Sequence, residues 1–189
     1  MPHTPGALDL PGAEAEATGL EERFPGRVTL LTGPQATYDA VLAALPAGRW
    51  AHFACHGASD PGSPSASRLL LADHEQRPLT VVDVARLRLE DAWLAFLSAC
   101  STAQPGDRLA DEAIHLASAF QLAGYRHVIA TLWPIGDKDA VKLAGDIYTT
   151  LAEGADDVAG AVHAAVRQMR SRPGRDMPSA WASHIHIGA

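Results

Sequence analysis

Two side chains in this sequence are placed where they could do nucleophilic chemistry together, the thiol of Cys100 and the imidazole of His56. A thiol near neutral pH is mostly protonated, and an imidazole within reach can take the proton and leave a strong nucleophile. Cys100 ends a continuous apolar run over residues 93–99, and His56 with Gly57 closes another over residues 50–55. In an open parallel sheet covered by helices, reacting groups collect outside the carboxyl ends of the strands, where the connecting loops converge. If the two runs are neighbouring strands, imidazole and thiol meet without special loop geometry. A tetrahedral intermediate would then need donors for its oxyanion. The backbone N–H groups of Gly57 and Cys100 are candidates, because glycine lets a substrate approach the chain closely. The pattern also has a purely structural explanation, since cysteine is among the most buried residue types and one His plus one Cys on apolar strands is commonly packing.

Other residues invite chemical roles that compete with plainer ones. His52, Cys55 and His56 with Cys100 resemble a metal-ligand set, but on a continuous strand residues 52 and 56 share one face while 55 points to the other. No metal or other cofactor is therefore expected, and Cys55 is read as a packed core thiol. A carboxylate in the pocket for the residue before a scissile bond would select Arg or Lys by paired charge. Asp137 is the best-placed candidate, with Asp60 and Asp107, in the loops after His56 and Cys100, as further ones. Asp137 competes for this role with service as a helix N-cap. Asp111 and Glu112 fall in the first turn of a helix, where carboxylates favour the dipole whatever the function. His115 and His127 are read as structural or surface histidines, and Trp50, Trp93 and Trp133 as core or cleft wall.

These residues need a scaffold, and the hydrophobic pattern supplies one. Residues 1–26 mix Pro, Gly, Ala and Glu without sustained periodicity and read as a loosely attached lead-in carrying a short exposed helix over residues 13–23. From residue 27 to 189 the pattern is that of one domain. A strand is expected over 28–32, a helix over 36–45 and a strand over 50–55, followed by a Pro/Gly/Ser-rich loop over 60–67. Next come a strand over 68–72, a short helix over 81–87 and a strand over 93–99 buried on both faces. A helix over 109–123 follows, with Gly124 as its C-cap residue. The unit repeats as a strand over 127–133 and a helix over 140–151 entered at Asp137. A helix over 157–170 and an extended segment over 181–187 complete the chain. The alternation implies a mostly parallel α/β sheet flanked by helices on both faces.

Composition narrows the possible functions. At 189 residues, with 47% hydrophobic and 20% charged content, the chain is long enough for one well-formed core. A net charge of -7 without any Lys/Arg run argues against nucleic acid or an anionic membrane as partner, since both require a basic footprint. Two cysteines provide no disulfide framework, and neither a signal peptide nor a membrane-spanning run is present, so a cytoplasmic location is expected.

Four stretches together resemble one family: His52-Phe53-Ala54-Cys55-His56-Gly57, Leu97-Ser98-Ala99-Cys100-Ser101-Thr102, Asp111-Glu112-Ala113-Ile114-His115-Leu116, and the run from Ala123-Gly124-Tyr125 through Ile129-Ala130-Thr131-Leu132-Trp133. In this order, over residues 21–188, the chain resembles the CHAT domain, caspase-like cysteine peptidases often attached to tetratricopeptide repeats. The resemblance implies a caspase-like α/β fold with the family's histidine at His56 and its cysteine at Cys100, and an oxyanion hole at the amides of Gly57 and Cys100. It implies a protein or peptide substrate and a repeat-containing regulatory protein or domain as partner. A catalytically silent interaction or regulatory module on the same scaffold is the alternative. CHAT domains usually have further strands upstream, and almost nothing precedes Val28 to supply them, so the sheet is expected to be incomplete at its N-terminal side.

Overall fold

The structure, a computed structural model, describes residues 1–58, 63–98, 109–133, 135–154, 156–174 and 176–188. Its centre is a four-stranded sheet whose strands lie in the order β1 (Trp50–Phe53), β5 (Leu94–Leu97), β6 (His127–Thr131) and β7 (His184–Gly188). β1, β5 and β6 run parallel, and β7 returns antiparallel along β6. A second, antiparallel sheet joins β2 (His56–Ala58), β3 (Arg68–Leu70) and β4 (Leu79–Thr80). The helices are α1 (Pro11–Arg23), α2 (Tyr38–Ala44), α3 (Val81–Ala85), α4 (Leu109–Ala123), α5 (Asp137–Ala152) and α6 (Val158–Arg170).

The side-chain alternation of β5 shows how the layers form. Leu94 and Phe96 pack with Leu143 and Ile147 of α5 and Val162 and Met169 of α6. Ala95 and Leu97 belong to the opposite cluster, with Phe120 of α4, Val84 of α3 and Val41 of α2. All four residues are buried, as a strand covered by helices on both faces requires. The mostly parallel sheet flanked by helices is thus the observed architecture, as a caspase-like fold has it.

Local chemistry fixes the element ends. Thr80 and Asp83 form a reciprocal capping box at the start of α3, and Asp157 accepts the Gly160 amide at 2.7 Å to open α6. Gly124, just past α4, has φ +123°, and a β-carbon there would fall 2.2 Å from the Leu89 carbonyl oxygen. Only glycine allows that turn and the Leu89 amide to Ala123 carbonyl bond of 2.8 Å beside it.

Several elements differ from the sequence expectation. Residues 28–32 are not a strand: among the described residues, 28–31 make no backbone hydrogen bond to another segment. β1 ends at Phe53 rather than residue 55, and the chain then leaves the parallel sheet, so His56 belongs to the second sheet. The parity argument that separated Cys55 from two histidines on one strand therefore does not apply. Asp137 is the first residue of α5 and Gly136 its N-cap. α1 is docked rather than exposed, burying Gly12, Ala13 and Glu16 against α5. A β-carbon on Gly12 would come within 3.1 Å of the Asp137 carboxyl carbon, so the missing side chain permits this close approach.

Candidate active site

β1 and β5, the strands that precede the two candidate residues in the sequence, pair in parallel. Phe53 stands opposite Leu97 in the register, and in the sequence His56 follows the first by three residues and Cys100 the second by three. The condition that the two runs be neighbouring strands is met. Cys100 itself lies outside the described residues, as do Asp60 and Asp107.

His56 is 1% exposed. It opens β2, where Leu70 of β3 is its partner and Gly57 stands opposite Leu69. Its Nε2 lies 2.6 Å from the Leu8 carbonyl oxygen. A carbonyl only accepts, so Nε2 carries a proton and donates it to this bond. Leu8 is held in turn. The Leu10 amide donates to the Pro2 carbonyl at 2.8 Å, the His74 Nε2 donates to the Pro5 carbonyl at 2.9 Å, and the Met1 amino group donates to the Ala54 carbonyl.

Beneath His56 lies a buried polar network that no sequence motif signals. Glu16 of α1 accepts at one oxygen from His52 Nε2, at 2.7 Å, and at the other from the Ser98 hydroxyl, at 3.0 Å. His52 Nδ1 in turn sits 3.0 Å from the Tyr148 hydroxyl. The carboxylate thus ties α1 to β1 and to the segment leading out of β5, and each partner removes some of the cost of burying it. Burial, with Glu16 nearby, pushes Tyr148 well above its ordinary range. The only hint in the sequence is that Glu16 shares a helical face with Ala13 and Leu20, a buried carboxylate among apolar positions.

Asp137 is close to this centre. It lines a cavity of about 70 Å³ together with Glu16, His56, Ser98 and Ile135. Its carboxylate accepts the Gly12 amide at 3.1 Å, one of the N–H groups that the first turn of α1 leaves without a helical partner.

Cys55 points into the core with Phe53 and Leu97 and is 3% exposed. Burial pushes its thiol up to about 12, so it has little thiolate near neutral pH. Among the described residues no group of three or more His, Cys, Asp or Glu is arranged to hold a metal ion. His127 is buried with its Nδ1 3.1 Å from His186 Nε2, and burial lowers its pKa. Asp111 and Glu112 fall in the first turn of α4, as expected.

No helix among the described residues is long and apolar enough to cross a membrane. No curated protein matches the chain. The family model described as CHAT domain matches residues 1–189, every position of the sequence. With that match over the whole sequence and a mostly parallel sheet between helical layers, the chain belongs to the CHAT domain family of caspase-like peptidases.

Proposed function

We propose that the protein is a cysteine endopeptidase working through a Cys100–His56 dyad. The observation that carries this reading is the register of β1 and β5, which pairs Phe53 with Leu97, the residues that stand three positions before His56 and Cys100 in the sequence. The hydrogen bond from His56 Nε2 to the Leu8 carbonyl supports it, because it holds the ring in one orientation.

In this mechanism His56 Nδ1 takes the Cys100 proton and the thiolate attacks a peptide carbonyl carbon. The carbonyl oxygen gains the negative charge and is held by the amides of Gly57 and Cys100. The imidazolium then gives its proton to the departing amine as the C–N bond breaks. Water, losing a proton to His56, cleaves the thioester and restores the thiol. Asp137, on the cavity it shares with His56, is the carboxylate best placed to favour Arg or Lys before the scissile bond, with Asp60 and Asp107 as further candidates. The substrate is a protein or peptide in the cytoplasm, and a repeat-containing protein or domain is the regulatory partner.

A panel of peptides varied at the residue before the cleaved bond tests both chemistry and specificity. Cleavage is expected with Arg or Lys there, and its loss in Cys100→Ala and in His56→Ala; full activity in either variant would sink the mechanism.

The near-complete burial of His56 favours a second reading, a catalytically silent interaction module on the caspase-like scaffold. The same panel separates the two: a silent module cleaves nothing, and Cys100→Ala leaves its partner binding unchanged.

A further inference from the structure

The chain leaves β5 at the peptide unit between Leu97, the last residue of the strand, and Ser98, and in the sequence Cys100 follows Ser98 by two. Side chains from two neighbouring elements hold that unit. The Ser98 hydroxyl donates to Glu16 of α1 at 3.0 Å, and the Leu97 carbonyl accepts from the Thr131 hydroxyl at 3.1 Å. Thr131 ends β6, one position past Ala130, the residue paired with Leu97. Its hydroxyl thus bonds β5 where the ladder between the two strands stops.

Behind Thr131 the bonds can run in one direction only. A hydroxyl has one proton and the Leu97 carbonyl only accepts, so Thr131 gives its proton there and must accept from the next group. That group is His184 of β7, whose Nε2 lies 3.3 Å away and therefore carries the ring proton. Burial pushes His184 down to about 4, so near neutral pH the ring is neutral and its Nδ1 accepts from the Ser183 hydroxyl, at 2.9 Å. The chain runs from Ser183 through His184 and Thr131 to the Leu97 carbonyl, and all three side chains are buried. Polar side chains cost more to bury than apolar ones of the same size. Here their directional bonds converge on the backbone group that precedes Ser98.

We propose that Thr131 and His184 are positioning residues for the nucleophile: they fix the Leu97 carbonyl and so, together with Glu16 on Ser98, the exit of the chain from β5 toward Cys100. Neither residue touches the reacting atoms. The inference rests on the reading of Cys100 and His56 as a catalytic dyad.

The test uses the full chain and the best-cleaved peptide of the panel, with rates expressed per folded molecule. Thr131→Val keeps the volume and removes the hydroxyl, whereas Thr131→Ser keeps the hydroxyl. In Thr131→Val kcat should fall at least about tenfold with KM within about twofold, and Thr131→Ser should retain most of the rate. Ser183→Ala frees the His184 ring to take the other tautomer, which turns the Thr131 hydroxyl away from Leu97. Its kcat should fall too, although the Ser183 hydroxyl bonds neither residue, and this variant decides the matter if Thr131→Val does not fold. Ring-nitrogen NMR of the wild type should show His184 protonated at Nε2. With an active wild type, an unchanged kcat in either folded variant, an equal fall in Thr131→Ser, or a His184 ring protonated at Nδ1 would overturn this inference alone. A wild type that cleaves no peptide would sink the dyad reading and this inference with it.

Discussion

β5 and β1 lie side by side in one sheet, run in the same direction and lead to the two candidate catalytic residues, yet they are supported differently. Every residue of β5 is buried, whereas in β1 only Phe53 is, and Trp50, Ala51 and His52 are half-buried. Among the described residues β5 is hydrogen-bonded on both edges and β1 on one. The strand that precedes Cys100 in the sequence is therefore one held by the sheet itself. His56 leaves one held by one neighbour and depends on contacts from elsewhere: the Leu8 carbonyl, the β2–β3 ladder and the Glu16 network below. The imidazole's position thus depends on tertiary docking of the N-terminal segment.

Truncating a ring on each strand gives the largest expected contrast. Phe96→Ala empties a fully buried position packed on Tyr148 and His52 and should cost about 3–5 kcal/mol in denaturant unfolding. Trp50→Ala, at a half-buried position, should cost distinctly less, about 2 kcal/mol. Equal losses would remove the distinction between a strand held on two edges and one held on a single edge.

Acid should act next. Burial pushes His184 down to about 4, against a weaker opposing influence of Glu16. It sits between the Thr131 and Ser183 hydroxyls, 3.3 and 2.9 Å away. On acidification the unfolded chain binds the proton first, at about 6.5. The stabilisation from neutral His184 is thus complete above that pH and lost as pH falls to about 4, by about 3 kcal/mol in all. Unfolding measured across this range should show the loss, and His184→Gln should flatten it; an unchanged slope would contradict the assignment.

Glu16→Ala leaves Ser98 and His52 without their acceptor and should cost about 2 kcal/mol. Since Glu16 joins β1 to the segment after β5, peptidase activity should fall beyond the loss of folded protein, with Glu16→Gln recovering part of it. The smallest effect is expected for Asp137→Ala, which removes the acceptor of the Gly12 amide, at about 1 kcal/mol. If Asp137 also binds substrate, cleavage after Arg or Lys should weaken relative to other residues.

What was legible in the sequence follows the same division. β5, β6 and the helices covering them are strongly patterned, because each strand is apolar on both faces and each helix presents one apolar stripe. Gly124 was readable as a helix end because the required backbone conformation suits glycine alone. Residues 28–32 carry the pattern of a strand without becoming one, since pairing needs a neighbour and propensity cannot provide it. α1 looked peripheral because Ala, Gly and Glu give it little amphipathic signal, and its docking rests on Glu16 and Gly12, which act through partners distant in sequence. Cys100 and His56 were readable as candidates from strand ends and family motifs. The Leu8 carbonyl was not, because a backbone acceptor leaves no mark on residue type.

The most direct test of the central claim is to label the protein with an electrophilic peptidyl ketone and map the modified cysteine by mass spectrometry. Modification at Cys100 and not at Cys55, slowed at least about 100-fold in His56→Ala, is the predicted result. Labelling at Cys55, or an undiminished rate at Cys100 in His56→Ala, would contradict it.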